Sequence, residues 1–160
     1  MLMRLKKIDR DGFSLAEVMV VLLVIGVLST IVTVSLSKAR IESQFKKAET
    51  ELQMLSSAIE QLAWDTGMLP RALSRVTPGS SECWDLSTDD AGLMGTDGDF
   101  ANWKGPYIRD IGNDPWGNPY FFDPDYRING VFEKVVGSFG PNGVGRNRYD
   151  SDDIYVLVAN

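Results

Sequence analysis

The sequence predicts an α+β fold: a long N-terminal helix whose second half packs on a small antiparallel sheet. Three observations predict it. Residues 13–36, FSLAEVMVVLLVIGVLSTIVTVSL, form an apolar run of 24 residues with Glu17 as its only charge. Directly after it, Ile41, Phe45, Ala48, Leu52, Leu55, Ile59 and Leu62 recur at spacings of 4, 3, 4, 3, 4 and 3, the period of a one-sided helical stripe. Beyond residue 105 that period is gone, and short β-branched and aromatic stretches alternate with turn residues.

The apolar run is long enough to cross the roughly 30 Å of bilayer hydrocarbon as a helix. Arg4, Lys6, Lys7 and Arg10 precede it, so its start should stay cytoplasmic and the rest of the chain should lie across the membrane. A secretory signal peptide would have a shorter core, of about 7–15 residues. Glu17 is the anomaly. An ionised carboxylate in hydrocarbon costs about 2.5–3.5 kcal/mol, which a cation would offset. Cleavage after Gly12 would give Phe13 a free α-amine, with a pKa of about 8, able to pair with Glu17 of a neighbouring chain.

The second half of the helix follows without a breaker, because no proline occurs in residues 1–69. Glu42, Lys46, Lys47, Glu49, Glu51 and Glu60 all fall off the apolar stripe. The stripe covers barely three heptads, which favours packing on the chain's own domain over a coiled coil. Gly67 is the first stop signal.

Residues 66–106 carry Pro70, Pro78 and Pro106 with many Gly, Ser and Asp. They read as an irregular, variable connection with a short helix at 71–76. Its acidic, glycine-rich part, 88–99, reads as a mobile surface excursion. Asp114-Pro115-Trp116-Gly117 has the proline and glycine placement of a type I turn. Strands are predicted at 119–123, 131–139 and 154–158, with Asn129-Gly130 as a two-residue hairpin turn. The tryptophans at 64, 84, 103 and 116 read as core or loop anchors.

Composition narrows the function. There is no histidine, so Ser-His-Asp and Cys-His nucleophile arrangements are impossible. Asp and Glu are plentiful, but none falls in a recognisable catalytic pair, and an enzyme is not expected. Cys83 is the only cysteine, which rules out an intramolecular disulfide. The net charge is −6, and residues 1–12 hold four of the cations and two anions, so the rest stands at about −8. So acidic a body is a poor partner for nucleic acid.

Gly12-Phe13-Ser14-Leu15-Ala16-Glu17, after a short basic segment and before the apolar run, resembles the prepilin-peptidase recognition motif of type IV pilin-like proteins. The resemblance implies cleavage after Gly12, N-methylation of Phe13 and Glu17 as the assembly carboxylate. It divides the chain into a leader (1–12), a transmembrane and filament-core half-helix (13–37) and a periplasmic pilin-like domain (38–160). Asn102-Trp103-Lys104-Gly105-Pro106-Tyr107-Ile108, Asp114-Pro115-Trp116-Gly117-Asn118-Pro119-Tyr120 and the stretch from Ser138-Phe139-Gly140-Pro141-Asn142-Gly143 to Asp152-Asp153-Ile154 are similar to the major pseudopilins of type II secretion.

That likeness implies a single-pass protein of the bacterial inner membrane that polymerises into a periplasmic filament driving protein export. Its partners would be copies of itself, minor pseudopilins, the prepilin peptidase, the inner-membrane assembly platform and the secretin channel. A type IV pilin for adhesion, motility or DNA uptake is the alternative. The family's closing loop binds calcium, which implies Asn142, Asp150, Asp152 and Asp153 as side-chain ligands and Phe139 as a carbonyl ligand. Calcium chemistry suits such an oxygen-rich, glycine-rich loop. Two features depart from the family: Asn142 stands where it has Asp, and Arg146 and Arg148 place cations in the loop. Arginines paired to aspartates are the other reading of that stretch.

Overall fold

The computed structural model describes residues 12–74, 82–146, 148 and 150–159, with the side chains of 30–34 and 72–74 left out. Two compact units are distinguished, Met1–Ile41 and Glu42–Asn160. One helix, α1 (Leu15–Thr66), contributes to both. It ends where the sequence places its stop: Gly67 adopts φ +73°, and its N–H donates to the Ala63 carbonyl (3.0 Å). That left-handed residue suits glycine, which has no Cβ to collide with the last turn.

In the first unit, every described side chain from Phe13 to Ser29 is exposed. In the second, the stripe of α1 is the floor of the core. Ala48, Leu52, Leu55, Ile59 and Leu62 are buried, and the last four cluster with Leu86, Leu93, Phe100, Tyr120, Phe122, Val136 and Val158. Fully burying each large aliphatic side chain contributes about 1.5–3 kcal/mol. Ile41, the first residue of the predicted stripe, is exposed.

A pair of two-residue strands, β1 (Met68–Leu69) and β2 (Leu73–Ser74), flanks a 3-10 turn at Pro70–Ala72. This replaces the first part of the predicted helix at 71–76; residues 75 and 76 lie outside the described set. Pro70 has no N–H to continue a helix, and the paired strands take the neighbouring backbone groups instead.

The segment 88–99, expected as a surface excursion, is tied to the domain with the rest of 82–106: Ala91, Gly92 and Leu93 are buried, while 88, 89 and 97–99 are exposed. Cys83 exchanges backbone hydrogen bonds with Phe122 (2.9 and 2.7 Å), and the Tyr107 N–H donates to the Leu93 carbonyl (2.8 Å). The Trp103 indole donates to the Gly92 carbonyl (2.7 Å). Leu86, Ala91, Leu93 and Phe100 are buried, so a few apolar residues among many acidic ones tie the segment to the core.

The main sheet has the order β3-β4-β5, all antiparallel: β3 (Phe121–Ile128), β4 (Val131–Ser138) and β5 (Ile154–Leu157). Asn129 and Gly130 link β3 and β4 with φ values of +51° and +87°, the two left-handed positions of a type I′ hairpin. The β3–β4 register shifts between Asp123 and Tyr126. Pro124, which cannot donate to a ladder, sits within that shift.

Both faces of the sheet carry buried clusters. Phe122 and Val136 join the core over α1, while Phe121, Tyr126, Val135 and Phe139 form a second cluster with Trp84 against it. Phe121 and Phe139 stack with centroids 4.4 Å apart. Gly137 permits this, because a Cβ there would strike the Phe121 ring. Of the four tryptophans, Trp84, Trp103 and Trp116 act as anchors, Trp116 by an edge contact with Phe45 (5.0 Å). Trp64 is 83% exposed.

Candidate functional site

Two places carry the residues singled out by sequence. The first is the start of α1. Gly12, Phe13 and Glu17 are all exposed. The Ser14 N–H donates to Glu17 Oε2 (2.9 Å) and the Glu17 N–H donates to Ser14 Oγ (3.2 Å). This reciprocal pair is a capping box, which satisfies two of the helix's orphan N–H groups. The S-x-x-E spacing of Ser14 and Glu17 is its signature in the sequence. Glu17 thus has a local partner in the single chain.

The second place is the loop joining β4 to β5, residues 139–153. Asn142 is its hub. Its side-chain Nδ2 donates to Asp150 Oδ2 (3.0 Å) and Asp152 Oδ1 (2.5 Å), its N–H donates to Asp152 Oδ2 (3.1 Å), and its Oδ1 accepts from the Val144 N–H (2.5 Å). The hydrogen bonds from Asp152 and Asn142 hold the Asp150 carboxyl below the usual carboxylate range. Asp153 turns inward: its Oδ2 accepts from the Tyr126 hydroxyl (2.8 Å), and its Oδ1 is buried without a hydrogen-bond partner among the described residues. Burial pushes its pKa up, opposed by the Tyr126 hydrogen bond.

Three of the five residues implied for calcium, Asn142, Asp150 and Asp152, are therefore brought together. Asp153 adjoins them through the Asp150 N–H, which donates to its Oδ2 (3.3 Å). The Phe139 ring lies in the aromatic cluster, which leaves only its carbonyl for a ligand role. Among the described residues no group of three or more His, Cys, Asp or Glu side chains converges as a metal cage. The donor set is two carboxylates and an amide, with a further carboxylate oxygen beside them. That set fits a hard cation that accepts carboxylate, amide and backbone oxygens. Rotating the Asn142 amide would present its oxygen in place of the NH2 group.

The family described as type II secretion system (T2SS), protein G matches residues 35–156, well over half of the chain. The chain belongs to that family. The prokaryotic N-terminal methylation motif matches residues 9–33 of the pseudopilin, the stretch that includes Gly12, Phe13 and Glu17. Type II secretion system core protein G of Xanthomonas campestris is 32% identical over 149 residues, covering 90% of this chain and 88% of the relative. Its namesakes in Klebsiella pneumoniae (27% over 148 residues, 87% and 90% coverage) and Vibrio cholerae (29% over 123 residues, 72% and 73%) are similar along most of their length. The long helix on a three-stranded antiparallel sheet agrees with the pilin-like architecture that this membership implies.

Among the described residues no helix is long and apolar enough to cross a membrane. The 24-residue apolar run of the pseudopilin includes positions 30–34, whose side chains lie outside the described set.

Proposed function

We propose that this pseudopilin is the major structural subunit of a type II secretion pseudopilus, assembling by helix packing into a periplasmic filament that drives protein export. The observation that carries the reading is the joint match to the protein G family over 35–156 and to the methylation motif over 9–33. The apolar first half of α1 supports it physically. Phe13, Leu15, Met19, Leu22, Leu23 and Leu28 are all more than half exposed, a larger apolar surface than a lone soluble chain ordinarily presents. In this reading the prepilin peptidase cuts after Gly12, Phe13 is methylated, and the run 13–36 holds the subunit in the inner membrane as a single pass. Lipid covers the helix before assembly and neighbouring helices cover it afterwards.

The loop 139–153 would take calcium through Asn142, Asp150, Asp152, Asp153 and the Phe139 carbonyl. Bound there, the cation would supply positive charge that joins the two ends of the loop. The buried Asp153 Oδ1, without a hydrogen-bond partner among the described residues, and the converging Asn142, Asp150 and Asp152 side chains support that assignment. Minor pseudopilins, the assembly platform and the secretin are the partners this role entails.

The test is genetic. Deleting the gene should leave exoproteins in the periplasm, and the intact chain should restore their export. Normal export in the deletion strain, or loss of surface fibres alone, would contradict the secretion role.

A further inference from the structure

We propose that the turn at 114–118 is the positioning platform of the closing loop, with Asp114 acting through Ser138 and Asn118 acting directly on Gly140. Asp114 and Ser138 are positioning residues for the cation site, and the proposal rests on the calcium reading of that loop.

A carboxylate 4% exposed, as Asp114 is, is costly unless hydrogen bonds satisfy it. Asp114 accepts from the Trp116 N–H (3.0 Å), the Asn118 N–H (2.7 Å) and Asn118 Nδ2 (3.4 Å), all within its own turn. The remaining donor comes from the end of β4: the Ser138 hydroxyl, fully buried, donates to Asp114 Oδ2 at 2.5 Å. A serine hydroxyl has one proton. With that proton committed to Asp114, the oxygen faces the Gly140 N–H as acceptor (3.1 Å). Asn118 Nδ2 holds the other side of the same residue by donating to the Gly140 carbonyl (3.2 Å). Both backbone groups of Gly140 are thereby fixed from the turn.

Gly140 passes the constraint onward. It adopts φ +61°, and a Cβ there would run into the Asp152 carbonyl, so the two ends of the loop touch at this point. Two residues on, Asn142 spans Asp150 and Asp152. One further on, Gly143 leaves no room for a Cβ against Asn118 Oδ1, at 2.8 Å. Moving Gly140 or Gly143 would move Asn142 away from the two aspartates. Outer partners that orient metal ligands typically change affinity by about 10–100-fold when lost.

The experiment uses the full-length protein in detergent micelles, stripped with EGTA and titrated calorimetrically with calcium chloride. Ser138→Ala and Asn118→Ala are compared with wild type and with the ligand variant Asp152→Asn. Melting temperature and amide exchange at Gly140 and Gly143 are read in EGTA. We expect each platform variant to bind calcium at least about tenfold more weakly and to exchange faster at both glycines. A lowered melting temperature with wild-type calcium affinity overturns the proposal, because a merely structural role would give that result. Asn118 is half-buried, so its variant carries the test if Ser138→Ala does not fold. Wild-type protein that takes up no calcium removes the calcium reading. Exchange in EGTA then decides the platform: faster exchange in the variants retains it as a loop clamp, and unchanged exchange overturns it.

Discussion

Glu17 and Asp123 are two carboxylates in opposite situations. Glu17 is exposed in the single chain and bonded to Ser14, whereas assembly would place it among apolar helices, where an unpaired charge costs about 2.5–3.5 kcal/mol. Glu17→Ala should therefore lower filament yield at least several-fold, counted by electron microscopy after overexpression, with the Glu42–Asn160 unit still folded. Asp123 is fully buried, and burial pushes its pKa up to about 7. A carboxyl raised in the folded state binds its proton there at a pH where the unfolded chain has released it. Its linkage to stability is most favourable below the unfolded value near 4 and is lost as pH rises toward 7. Asp123→Asn should flatten that fall, raising the melting temperature at pH 8 by a few degrees relative to wild type and by less at pH 4. An equal shift at both pH values would count against the assignment. Cys83 is buried, with a thiol pushed up to about 11 by that burial, and is correspondingly inert.

At the scale of elements, the second half of α1 stabilises the domain through its stripe. Ile59 is fully buried, and Ile59→Ala should cost about 2–5 kcal/mol, measured as a shift in the urea midpoint. A cost under 1 kcal/mol would mean that the helix is not the floor of the core. This helix was legible because the apolar spacing is regular and Gly67 ends it. The Asn129-Gly130 hairpin was legible because left-handed backbone selects those residues. The segment 82–106 was not. Its anchors Leu86, Leu93 and Phe100 have no period, and its bonds to Phe122 and Tyr120 depend on partners far along the chain. The first part of the helix expected at 71–76, residues 71–74, gave way because local composition carries no information on the β1–β2 pairing. In the closing loop, Asn142, Asp150 and Asp152 were legible as a set. The buried link from Asp114 to Ser138, which spans 24 residues, was not.

At the scale of the molecule, an acidic domain and an apolar half-helix divide the work of a filament subunit. The domain keeps its own core, and the described side chains of the half-helix from Phe13 to Ser29 are exposed. If the closing loop takes calcium, the cation stabilises the folded domain by mass action, by about 2.7 kcal/mol at a hundredfold excess over Kd. EGTA should then lower the melting temperature, and calcium but not sodium should restore it. No change at millimolar calcium would refute the loop as a cation site.

Processing would expose Phe13 as a charged chain end, and that end would let Glu17 enter a filament of packed helices. Intact mass and N-terminal sequencing of the protein extracted from membranes test it most directly. The predicted product begins at an N-methylated Phe13 and is shorter than the 160-residue chain by the mass of residues 1–12. A filament-forming protein that still begins at Met1, with an unmethylated end, would contradict it.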